Sequence, residues 1–160
     1  MSFVSRLLLG TPRSVADLDL RVDLERLTVG DVTAGDTRGD IERRLGPSRS
    51  LASRRKGRLD YGHLGLQVRI AADRLVGFDV YVTQEEHDPW RAYRGQWLPW
   101  RREEPPDEAE LIALWGQPSE RDDDEDGPSL FWQRRALINA DFSPGDGRLA
   151  ALWIDFDEEL

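Results

Sequence analysis

The sequence predicts an α+β protein of two tandem helix-plus-antiparallel-sheet units packed side by side, preceded by a short N-terminal helix. Three observations predict it. Two short segments carry helix start and stop signals, each is followed by stretches that alternate apolar and polar residues, and the two halves align at an offset near 70 residues. The expected boundaries are 1–27 for the N-terminal helix and lead-in, 28–82 for the first repeat, 83–96 for a linker and 97–160 for a second, acidic repeat.

The helices come first in each unit. In "TRGDIERRLG" (37–46) Thr37 caps and Asp40 stands three residues on, and in "DEAELIALWG" (107–116) Asp107 and Glu110 repeat that arrangement after Pro105 and Pro106. Gly46 and Gly116 coincide at an offset of 70 and supply the left-handed stop. The same offset pairs Tyr61 with Phe131. Leu66, Val68 and Ile70 match Ile138, Ala140 and Phe142 at 72, and residues 73–82 match 147–156 at 74. Period two makes these segments strands with one buried face, turning at Asp73-Arg74 and at Gly145-Asp146-Gly147. "DLERLTVGDV" and "YRGQWLP" each offer a leading strand. At the N-terminus Phe3, Val4, Leu7 and Leu8 share one side of a short amphipathic helix, with no cleavage pattern of a signal peptide after it.

Of 160 residues, 39% are hydrophobic and 33% charged, the balance of a chain that folds around a core. There is no cysteine, which excludes disulfides and thiolate metal sites, and no apolar run approaches a membrane span. A cytoplasmic protein is expected. The net charge of -9 is unevenly placed: residues 1–27 sum to 0, 28–82 to +3, 83–96 to -1 and 97–160 to -11. Such a C-terminal part repels nucleic acid and anionic membranes and favours basic partners.

The most acidic stretch, "ERDDDEDG" (120–127), spaces Asp122, Asp124, Asp126 and Gly127 like the first half of a calcium loop. The closing bidentate carboxylate is replaced by Gln133, and Pro128 follows the glycine, so a solvated acidic loop is expected and no metal. The histidines are His63 and His87. Asp60 and His63 lie near one another in sequence without the spacing that makes an acid/base pair, and His87 falls in the linker. No nucleophile elbow, zinc-binding H-E-x-x-H, phosphate loop or dinucleotide fingerprint occurs. A non-catalytic chain with no cofactor is expected.

Aromatic residues say more. All six tryptophans fall between 90 and 153, and "DPWRAYRGQWLPW" holds Trp90, Tyr93, Trp97 and Trp100 among arginines. Such rings either cover a seam between sheets or, exposed with arginine, form an interface hot spot. The stretch "SRSLASRRKGR" (48–58), with Arg54 and Arg55, carries +5 and occupies the same place in the first repeat as the acidic residues in the second. The expected partner-binding set is therefore Trp90, Tyr93, Trp97, Trp100, Arg54, Arg55, Asp122, Asp123, Asp124 and Asp126.

Residues 32–48, "VTAGDTRGDIERRLGPS", resemble the G-x-T-R-x-x-(I/V)-x-x-x-L-G-x-P pattern of the SmpA/OmlA (BamE-like) lipoproteins and of the related repeats in β-lactamase inhibitor protein. Gly35, Thr37, Arg38, Ile41, Leu45 and Gly46 match, Pro47 sits one residue early, and the second copy keeps Leu111, Trp115, Gly116 and Pro118. The resemblance implies helices packed on antiparallel sheet and, in the tandem form, a surface that grips another protein. The lipobox cysteine is missing, so lipid anchoring does not carry over. The expected function is non-catalytic protein–protein interaction, as an inhibitor or immunity-like protein meeting a basic partner. The alternatives are self-association through the oppositely charged loops, and a small-ligand site or enzyme with a seam lined by Trp97, Trp100, Trp115 and Trp132.

Overall fold

The computed structural model describes residues 20–48, 57–83 and 91–156. The expected N-terminal helix, the basic residues Arg54 and Arg55, Trp90 and His87 lie outside them.

The expected fold class is overturned. The chain is β-rich, and its main feature is a seven-stranded antiparallel sheet instead of two helix-plus-sheet units packed side by side. The strands run in the order β3 (Arg58–Tyr61), β4 (Leu66–Ala71), β5 (Arg74–Tyr81), β10 (Leu149–Phe156), β9 (Ala136–Phe142), β8 (Gly127–Gln133) and β7 (Glu120–Asp124). The reason is one pairing that local periodicity does not encode. The last strands of the two halves, β5 and β10, hydrogen-bond to each other with Val80 opposite Leu152 and Phe78 opposite Ile154, so the sheet runs through without a seam. A second sheet of three short strands sets β1 (Arg21–Asp23) between β2 (Thr28–Val29) and β6 (Gln96–Leu98). The segments "DLERLTVGDV" and "YRGQWLP" thus contribute strands, but to a separate sheet.

The two α-helices among the described residues pack on one face of the large sheet. α1 (Arg38–Leu45) and α2 (Glu108–Trp115) both begin with the expected capping box: Thr37 Oγ1 accepts from the Asp40 N–H at 3.3 Å, and Asp107 Oδ1 from the Glu110 N–H at 2.9 Å. Both stop at glycine, Gly46 with φ 85° and Gly116 with φ 79°, positive angles with ψ near 180° that are essentially reserved for glycine. Ile41 and Leu45 of α1, and Leu111 and Trp115 of α2, join one buried cluster with alternate residues of the strands, among them Leu66, Val68, Ile138, Ala140, Leu152 and Ile154. The alternation expected for residues 66–70 and 138–142 is observed, and the first turn falls one residue earlier than expected, at Ala72 and Asp73, both with positive φ.

The correspondence between the halves recurs as hydrogen bonds. Asp36 C=O accepts from the Leu75 N–H at 2.8 Å, and Pro106 C=O from the Leu149 N–H at 2.9 Å. The Arg74 guanidinium donates to Gly35 C=O at 2.9 Å, and that of Arg148 to Pro105 C=O at 3.3 Å. The helix ends are tied down in the same manner, by Tyr61 Oη on Gly46 C=O at 2.8 Å and by Trp132 Nε1 on Gly116 C=O at 2.9 Å. Trp132, rather than Phe131, is therefore the counterpart of Tyr61. Phe131 points to the opposite face.

Candidate interaction site on the open sheet face

The strand residues that do not face the helices form the other face of the sheet. Its central row runs Asp60, Gln67, Asp79, Trp153, Asn139, Phe131, Glu120, each opposite the next. The adjacent row carries Arg69, Gly77, Asp155, Leu137 and Gln133. The face is divided by chemistry. The β3–β5 side carries Asp60, Gln67, Arg69 and Asp79, whereas the large apolar side chains Phe131, Leu137 and Trp153 stand on β8–β10 among polar ones.

On the charged side Asp79 is 5% exposed, and Arg69 Nη2 lies 3.0 Å from its Oδ1. Arg69 also binds the Asp155 carboxylate and donates to Ile154 C=O at 3.1 Å. Gly77, opposite Arg69, makes room for this reach, because a Cβ there would stand 2.8 Å from Arg69 Nη2. Burial pushes the Asp79 carboxyl up to about 6, Arg69 opposes that rise, and the Asp155 charge adds to it. In the next row, burial raises Asp141 against the Ser129 hydroxyl, which donates to it at 2.7 Å.

On the apolar side Phe131, Leu137 and Trp153 border a shallow groove of about 350 Å³ together with Glu120, Gln133, Asn139 and Asp155. Leu137 is 48% exposed, more than any other large hydrophobic among the described residues. Trp153 is half-buried and meets Tyr81 edge-on at 6.4 Å. Asn139 Oδ1 is buried at the groove without a hydrogen-bond partner. Beside the groove runs β7, at the edge of the sheet, with all five residues exposed. Its alternation sends Glu120 and Asp122 to the open face, opposite Phe131 and Ser129, while Arg121 turns to the helix side and pairs with Glu108 and Asp123.

The sequence-derived partner-binding set fares unevenly. Tyr93 and Trp97 are 4% and 0% exposed and stack edge-on at 5.1 Å, so they are core and not an exposed hot spot. Trp100 is half-buried with the Arg102 guanidinium 5.5 Å above its ring. Asp122, Asp123, Asp124 and Asp126 are exposed as expected, but the first three belong to strand β7 instead of a helix-to-strand loop. Asp126 follows in the turn, donating its N–H to Asp124 Oδ1 at 2.8 Å. No cluster of three or more potential metal ligands occurs among the described residues. The four tryptophans proposed for a seam pocket do not share one. Trp115 and Trp132 stack at 5.2 Å inside the core, and Trp115 alone of the four borders a cleft of about 480 Å³, with Leu24, Leu27 and Arg134. Asp60 uses its carboxylate to accept from the Gly62 N–H at 2.9 Å, and His63 is buried in a single 3-10 turn.

The open-face residues were missed, yet a signal for them exists. Phe131, Leu137 and Trp153 are apolar residues in the polar phase of the strand alternation, where a solvated face has no use for them. No described helix is long and apolar enough to cross a membrane.

Compared with known proteins, the chain matches no family and no curated sequence. Among solved structures it is similar to an extracellular protein containing a SCP domain from Bacillus anthracis str. Ames, at 12% identity and a TM-score of 0.47. The match covers 77% of this chain and 44% of that one, a likeness too slight to carry an argument about fold or function.

Proposed function

We propose that this chain is a non-catalytic protein-interaction domain whose open sheet face receives a basic partner. The observation that carries the reading is the apolar group on the open face, an exposed Leu137 with half-buried Phe131 and Trp153, beside an edge strand that presents acidic side chains. An apolar centre with a charged rim is how protein-binding surfaces are built, and the net charge of -9 steers a basic protein toward it. The resemblance of residues 32–48 to a superfamily that includes a protein-binding inhibitor supports the same reading. Capture from source-cell lysate at low salt, by the wild type and by Leu137→Glu in parallel, tests it. The wild type is expected to retain a basic protein that high salt releases and that the variant fails to hold. Equal retention by both, or no salt-sensitive partner, defeats the proposal. Light scattering of the purified chain at both salt concentrations distinguishes a second copy of the chain from a different partner.

A further inference from the structure

We propose that the partner contributes an extended basic segment that adds to β7 as an eighth strand, with Lys or Arg at alternate positions opposite Glu120, Asp122 and Asp124. This rests on the protein-binding reading above and specifies the mode and chemistry of recognition. β7 pairs with β8 on one side and with no described strand on the other, and its five residues are all exposed, so its outward N–H and C=O groups have no strand partner among the described residues. An edge of this kind accepts a strand by main-chain hydrogen bonding. Its charge decides which strand. Two copies of β7 side by side would oppose four carboxylates on each chain, which closes the edge to this chain's own β7 and to any acidic segment.

The alternation is equally selective. Glu120, Asp122 and Asp124 project on the open-face side, whereas Asp123 on the helix side is already neutralised by Arg121, which Glu108 also holds. Positive charge is therefore needed at every second residue of the incoming strand.

Synthetic peptides provide the test. One has lysine at alternate positions among threonines, a second has the same composition with the lysines contiguous, and two more carry N-methyl groups on one or the other set of alternate backbone nitrogens. Titrated at low salt, the alternating peptide is expected to bind about tenfold more tightly than the contiguous one, from its cross-strand charge pairs. N-methylation of one set abolishes binding and that of the other leaves it, because only one set faces β7. The triple variant Glu120→Gln, Asp122→Asn, Asp124→Asn, confined to an exposed strand, loses at least about tenfold in affinity by the same charge pairs. Binding that tolerates methylation of both sets, or that survives the triple variant, overturns strand addition, as does the absence of binding by every peptide. Retention of a lysate partner by the wild type and not by Leu137→Glu would in those cases leave the protein-binding reading intact.

Discussion

Asp79 is the most perturbed group on the open face, and its environment fixes a pH dependence. Its carboxyl titrates at about 6 in the fold against 3.8 in the unfolded chain, because burial disfavours the charge more than Arg69 favours it. The folded state thus binds the extra proton between those values. Stability falls as pH rises from about 4 to about 6 and is level above, by at most about 3 kcal/mol for a window of this width. Asp79→Asn removes that slope and raises stability at neutral pH, since Arg69 keeps Asp155 and the Ile154 carbonyl. Urea unfolding of both proteins from pH 4 to 8 measures it, and parallel slopes would contradict the assignment. Such a residue is not legible in sequence. "GFDVYV" reads as a strand with one polar interruption, and nothing local says that Asp79 will stand opposite Trp153 from 74 residues away.

Helices and turns, by contrast, were legible because their signals are local. Thr37 with Asp40 and Asp107 with Glu110 announce two helix starts, and Gly46 and Gly116 announce two stops. The acidic strand β7 was not. Aspartate has low strand propensity, so "ERDDD" reads as a loop until the register with β8 is known. The helix ends also depend on tertiary ties, as at Tyr61. Its hydroxyl donates to the buried Gly46 carbonyl, and Tyr61→Phe leaves that acceptor unsatisfied. A loss of about 1–3 kcal/mol is expected from the denaturant midpoint, the range for an orphaned buried group. An unchanged midpoint would mean that water replaces the hydroxyl.

At the scale of the whole molecule, the β5–β10 pairing predicts one folding unit where the sequence suggested two. Ile41 on α1 is fully buried in the first half, while every described tryptophan lies at or beyond Trp97. Ile41→Ala is expected to destabilise by about 2–5 kcal/mol, the range for a large-to-small core change. Tryptophan fluorescence, whose fluorophores fall at residues 90–153, should shift its midpoint together with far-UV circular dichroism. Fluorescence that keeps the wild-type midpoint would show that the halves unfold separately. What hid the continuous sheet from the sequence is that a strand shows which face it buries but not which neighbour it pairs with. Residues 74–81 and 149–156 each carry a complete alternation, and either would serve equally well as the outer strand of a small separate sheet.

The offset of 74 that aligns the two halves makes Asp79 and Trp153 equivalent residues, and they face one another across the join, with Tyr81–Ala151 and Gly77–Asp155 placed symmetrically on either side. The pair marks a local two-fold axis. A dimer of identical halves would have to set each residue at that axis against its own copy, carboxylate on carboxylate or indole on indole. A single chain escapes that obligation. Unlike residues at equivalent positions let the large apolar side chains gather on the β8–β10 side of the face alone, a division that no symmetric dimer of either half can achieve.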